Sequence, residues 1–203
     1  MNDYATEEQQ VEAIKSWWQE NGKAVVLGAV IGLGGLLGWR YYQSEVHAAK
    51  HLASDSYTQV VTALDNNSKT AVTEAQTFIE ANKDSQYAVL AALQLAKVQV
   101  ENNHLDGAIE QLNWVISNTK DNAILPLAVT RLARIYAEQQ KFTEALAELK
   151  KVTIPSWNEN IAELRGDILL QKGDIQAARD AYIEAQQDGS SPALQMKLND
   201  LAQ

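Results

Sequence analysis

Residues 24–39, AVVLGAVIGLGGLLGW, run for sixteen positions without a charged side chain. Such a run must be covered by something apolar, either the rest of a fold or lipid. Crossing about 30 Å of hydrocarbon takes roughly 20 apolar residues in a helix, and the flanks supply the difference. Trp17 and Trp18 precede the run and Trp39, Tyr41 and Tyr42 follow it, where aromatic belts sit at membrane interfaces. Lys23 and Arg40 can reach outward from the two ends, so residues 22–42 are predicted to form one transmembrane helix. A buried helix of a water-soluble core would accommodate the six glycines of 22–38 poorly, since each costs about 1 kcal/mol relative to alanine in a water-exposed helix. The run starts only after a net acidic leader, and no small-residue cleavage pattern precedes the bulky Trp39-Arg40-Tyr41-Tyr42. It is therefore expected to stay as an anchor and not to be cut off as a signal peptide. Lys15 and Lys23 lie on one side, Arg40 and Lys50 on the other, so charge does not orient the anchor.

Two features of this region suggest contacts. Gly28 with Gly32, and Gly34 with Gly38, place small residues one turn apart, where a partner helix can approach closely; ordinary glycine usage in membrane helices is the alternative. In the leader, residues 1–21, Thr6-Glu7-Glu8-Gln9 has the form of a capping box. Val11, Ile14, Trp17 and Trp18 then make an apolar stripe opposite Glu8, Glu12, Lys15 and Glu20, with Asn21-Gly22 as the expected helix end. This reads as an interfacial helix or as a docking site for a protein.

From Ser44 onward apolar residues recur at helical spacing with no alternating strand pattern. Turn signals at 65–68, 82–84, 102–103, 118–121, Pro155 and 189–192 cut the chain into pairs of helices. The unit from Glu159 to Pro192 follows the tetratricopeptide pattern with Ala162, Gly166, Leu169, Gly173, Ala178, Tyr182 and Ala185. Earlier units align on Leu132, Ala133, Tyr136, Ala145 and Leu149, then on Leu95, Ala96, Ala108 and Leu112, then on Ala71, Ala75 and Phe78. The opening helix of the first unit (Tyr57, Val60, Val61, Leu64) sits about two residues out of register. Ala71, Ala108, Ala145 and Ala178 mark the same position in successive units, 37, 37 and 33 residues apart. Leu194, Leu198 and Leu201 share one face of a closing helix, as a stack of repeats requires. The expected fold is all-α: one N-terminal transmembrane helix, then over 43–203 an α-solenoid of about four tetratricopeptide-like helix pairs with a C-terminal capping helix.

In such a stack the first helix of each pair lines a concave groove. The pattern places Lys97 and Glu101, then Thr130, Arg134 and Glu138, then Asn160, Glu163, Asp167 and Gln171 on that face, as partner contacts or simply as a solvated side. On the outer surface, Trp114 occupies the position held by Lys151 and Glu184 in the next two units. Charged residues there suggest water, so Trp114 would either expose a contact ring or fold back onto its repeat.

Chemistry is not indicated. There is no cysteine, so disulfides, thiolate metal sites and cysteine nucleophiles are excluded. His47 and His51 stand one turn apart but lack a convincing third ligand, so no metal is expected, and no phosphate loop or nucleophile elbow occurs. Seventeen cations against 26 acids argue against a nucleic-acid partner, which would need clustered positive charge.

The layout as a whole resembles a known family. The leader with Tyr4-Ala5-Thr6-Glu7-Glu8-Gln9-Gln10 and Ile14-Lys15-Ser16-Trp17-Trp18, the glycine-rich anchor ending in Trp39-Arg40-Tyr41-Tyr42, and repeats ending in Gly166-Asp167-Ile168 and Gly173-Asp174 resemble the YfgM family, the ancillary subunits of the bacterial SecYEG translocon. The resemblance covers essentially the whole chain. It implies a single-pass protein of the bacterial inner membrane, N-terminus cytoplasmic and repeat domain periplasmic. It also implies association with the SecYEG translocon and with a membrane-anchored periplasmic prolyl-isomerase-like chaperone. The implied role is non-enzymatic and cofactor-free: helping to pass newly translocated client polypeptides to periplasmic chaperones. The residues themselves supply an anchored solenoid for binding peptides or proteins. A scaffold of another envelope assembly, in cell-wall or outer-membrane biogenesis, would share that architecture.

Overall fold

The computed structural model describes residues 7–189 and 191–201, with side chains from residue 10 onward except at 47–51. It is all-helical over those residues, and the chain divides into two compact units, Met1–Leu52 and Ala53–Gln203.

Helix α1 runs without interruption from Glu7 to Asp65. The helix end expected at Asn21-Gly22 is absent. Neither residue removes a backbone donor as proline would, so the pair weakens the helix without breaking it. The Asn21 amide donates to the Trp17 carbonyl at 3.1 Å, and the Trp18 ring lies over Gly22, where a Cβ would come within 3.2 Å of it. The capping box begins at Thr6, outside the described residues. Within α1, Gln10–Val46 is long and apolar enough to cross a membrane, and protein covers almost none of it. Leu27, Ile31, Leu33 and Leu37 are all exposed.

The second unit begins on the last turns of α1. It continues through α2 (Ala71–Ala81), α3 (Gln86–Glu101), α4 (Leu105–Asn118), α5 (Ile124–Glu138), α6 (Phe142–Leu149), a 3-10 turn at Pro155–Trp157, α7 (Asn158–Lys172), α8 (Ile175–Asp188) and α9 (Pro192–Asp200). The last turns of α1 share the first core segment with α2; α3 pairs with α4, α5 with α6 and α7 with α8, and α9 closes the stack against α8. Each core segment joins neighbours only, the quasi-one-dimensional packing expected of repeats. The four marker alanines are all buried.

The turn inside each pair is the same device. Asn67, Asn103, Gln140 and Gly173 adopt positive φ, and the next residue's amide donates five residues back: Ser68 to Ala63, His104 to Gln99, Lys141 to Tyr136 and Asp174 to Leu169, at 2.7–3.1 Å. This paired capping bond requires a left-handed residue, which glycine and then asparagine adopt most easily. In the last three pairs that residue stands five positions before the marker alanine; in the first, Asn67 stands four before Ala71, so the first pair is out of step. There Tyr57 of α1 stacks near Phe78 and Tyr87, with ring centroids 6.4 and 5.4 Å away.

Candidate protein-interaction groove

Polar residues of α3, α5 and α7, the first helices of the last three pairs, border three adjoining clefts. The cleft of about 450 Å³ between α3 and α5 is lined by Lys97, Val100, Glu101, Arg131, Arg134 and Ile135, with Ala96 and Leu112 beneath. The next, of about 460 Å³ between α5, α7 and α9, is bounded by Thr130, Arg134, Trp157, Asn160, Glu163 and Lys197. The third, of about 490 Å³, takes in Arg134, Glu138, Asp167, Gln171 and Tyr182. Every groove position expected from the repeat pattern borders one of these clefts, and Arg134 borders all three.

Their side chains are not equivalent. Lys97 and Glu101 sit one turn apart with Nζ and Oε1 3.8 Å from each other, both well exposed. Such a surface pair contributes at most about 0.5 kcal/mol. Thr130, expected as a groove contact, is buried, and its hydroxyl donates to the Leu127 carbonyl at 3.0 Å. It forms wall and has spent its donor inside its own helix, because a threonine at that depth must satisfy its hydroxyl locally. Asn160, Glu138 and Gln171 are exposed.

Glu163 and Asp167 are tied down by a residue that the repeat pattern did not flag. Lys197 of α9 donates to Glu163 Oε1 at 2.8 Å and to Asp167 Oδ1 at 2.6 Å, and its ammonium lies 5.6 Å from the centre of the Tyr182 ring. Tyr182, wholly buried, donates its hydroxyl to the same Asp167 oxygen at 2.9 Å. Burial, the hydrogen bond to Asp167 and the charges of Asp167 and Glu163 together push the Tyr182 phenol well above its ordinary range. Burial alone would lower the Lys197 ammonium, but its bonds to Asp167 and Glu163 outweigh that and raise it. Arg131, one turn before Arg134, was also missed; its spacing from Arg134 is the one signal that could have placed it on this face. Neither arginine has an ion-pair or hydrogen-bond partner among the described residues.

Elsewhere, Trp114 is half-buried and packs against the first core segment, while Lys151 and Glu184 at the matching positions are exposed. Of the two arrangements the sequence leaves open for Trp114, the ring rests against its own repeat, with part of it still exposed. On α1, a Cβ built at Gly28, Gly32, Gly34 or Gly38 would meet nothing within 4 Å, so the glycine face is open. The side chains of His47 and His51 lie outside the described residues. Among the described residues no three acidic or histidine side chains converge as metal ligands.

Comparison with known proteins places these features in a lineage. A family profile described as "Tetratricopeptide repeat-like domain" matches residues 15–203. The "Ancillary SecYEG translocon subunit" of Escherichia coli K12 is 36% identical over 206 residues, covering 100% of both chains. The protein of the same name from Haemophilus influenzae Rd is 34% identical, covering 96% of this chain and 97% of that one. The solved structure of MamA AMB-1 aligns with 75% of this chain and 81% of that chain at 19% identity, with a TM-score of 0.49.

Proposed function

The chain belongs to the family of ancillary SecYEG translocon subunits, and on that premise we propose that it is a non-enzymatic, membrane-anchored subunit associated with the Sec translocon. The anchor is a single transmembrane helix over residues 22–42, with the leader cytoplasmic and residues 43–203 periplasmic. The repeat domain recognises proteins along its concave face and helps to move newly translocated polypeptides to periplasmic chaperones, among them a membrane-anchored prolyl-isomerase-like one. The full-length similarity to relatives of that name carries this reading. Clefts lined by charged residues, one of them over an apolar floor, support a protein-binding role.

Purification of the full chain in mild detergent tests the association: translocon subunits should co-purify, and enrichment of cell-wall synthases in their place would favour the other envelope scaffold. A reporter active only in the periplasm, fused after Gln203, should be active, and the protein should resist alkaline carbonate extraction. A reporter active only in the cytoplasm would overturn the orientation.

A further inference from the structure

We propose that the cleft between α3 and α5 receives an apolar side chain of an extended polypeptide segment whose neighbouring carboxylate is held by Arg131 and Arg134. This rests on the protein-binding reading of the concave face and specifies what that face selects.

Three observations carry it. The floor is apolar, formed by Ala96, Leu112 and Ile135, and Val100 at the rim is 41% exposed. A space of about 450 Å³ with that floor is larger than an inorganic anion needs and suits a side chain with its backbone. The rim is cationic. Lys97 faces Glu101, whereas Arg131 and Arg134 stand one turn apart on α5 with no anionic partner among the described residues. Like charges at that spacing repel slightly, a cost that an incoming carboxylate would relieve. Finally, the acids that border the same clefts do not serve: Glu101, in the cleft itself, faces Lys97 at 3.8 Å. Glu163 and Asp167 are engaged by Lys197, and Glu138 lies one turn beyond Arg134, exposed toward the third cleft. In a chain with 26 acids and 17 cations, two adjacent arginines beside an apolar cleft form a local inversion of charge. Guanidinium groups bind carboxylates through paired hydrogen bonds, which fixes the register of an extended segment as well as its charge.

The full chain in detergent micelles, titrated into a short fluorescent peptide in which leucine alternates with aspartate, reads the inference by anisotropy. The same peptide with asparagine replacing aspartate should bind about tenfold more weakly, equivalent to about 1.4 kcal/mol. The double variant Arg131→Glu, Arg134→Glu should abolish the preference, while Arg179→Glu, exposed on α8, should leave it intact. Both arginines are exposed, so helix content and thermal midpoint should be unchanged, and the peptide arm needs no protein variant at all. Equal binding of the two peptides, no binding of either, or a preference that survives in the double variant overturns the inference. Self-association of the wild-type chain that the double variant loses would assign the cleft to a second copy and also overturn it. Co-purification of the translocon is unaffected by any of these results and tests the broader reading separately.

Discussion

A Cβ added at Gly166 would collide with the Tyr182 ring, so this position in α7 is small because the paired helix delivers a large buried side chain against it. Gly166→Ala should therefore lower stability by about 1–3 kcal/mol, the usual cost of overpacking. Circular-dichroism melting should show the midpoint falling by several degrees, with partial recovery when Tyr182→Leu is added. An unchanged midpoint in the single variant would show that the ring yields without cost. Trp114 is governed by the same neighbour logic. Its ring is half-buried on the first core segment, so Trp114→Ala should destabilise by about half of the 3–5 kcal/mol lost on emptying a fully buried tryptophan site. A midpoint that stays put while partner binding weakens would reverse that assignment and make the ring a contact.

Helix α9 is nine residues long, too short to persist on its own, so tertiary contacts hold it. Leu194 supplies the apolar anchor, and Lys197 supplies the polar one by binding Glu163 and Asp167. The Tyr182 phenol and the Lys197 ammonium are both raised in the folded state. For a raised group the stabilisation is complete below the unfolded-state pKa and is lost as pH climbs through the folded-state one. Since the ordinary values of both lie near pH 10, the thermal midpoint should hold through neutral pH and fall above about pH 10. Tyr182→Phe keeps the ring, removes the titrating hydroxyl and should shrink that alkaline fall. A profile equally steep in the variant would show that Tyr182 has no part in it.

At the scale of the molecule, a long apolar helix and a repeat stack share one chain, and the two parts face different solvents. The repeats bury their small-residue positions among neighbours, whereas a Cβ at Gly28, Gly32, Gly34 or Gly38 would meet nothing within 4 Å among the described residues. Replacing Gly28 and Gly32 with leucine preserves hydrophobicity but blocks close backbone approach. Membrane insertion should be normal, and recovery of membrane partners in mild-detergent purification should drop severalfold. Unchanged recovery would reduce these glycines to ordinary membrane composition.

The membrane run, the helix pairs, most of their turns and the faces that go inward were readable in the amino acids; the turn at Gln140 was not, because glutamine carries no local signal for positive φ. Each readable feature is a local or periodic property: hydrophobic length, spacing near 3.6, and an asparagine or glycine suited to positive φ in three of the four pairs. Ala71, Ala108, Ala145 and Ala178 marked the buried seam correctly because every repeat solves the same packing problem. Packing decided the rest. Nothing within α9 says that Lys197 reaches Glu163 and Asp167, some thirty residues away in sequence, because that depends on how the cap rotates against α7. Thr130 carried the groove spacing yet turned its hydroxyl into its own helix, and Trp114 sat at a charged position yet folded onto the core. Asn21-Gly22 carried a stop signal that the helix passed through, since a weak propensity yields wherever the hydrogen-bond ladder stays intact. Periodicity specifies which side of a helix is apolar; which charge meets which is set by the reach of side chains between helices, and only the assembled stack settles that.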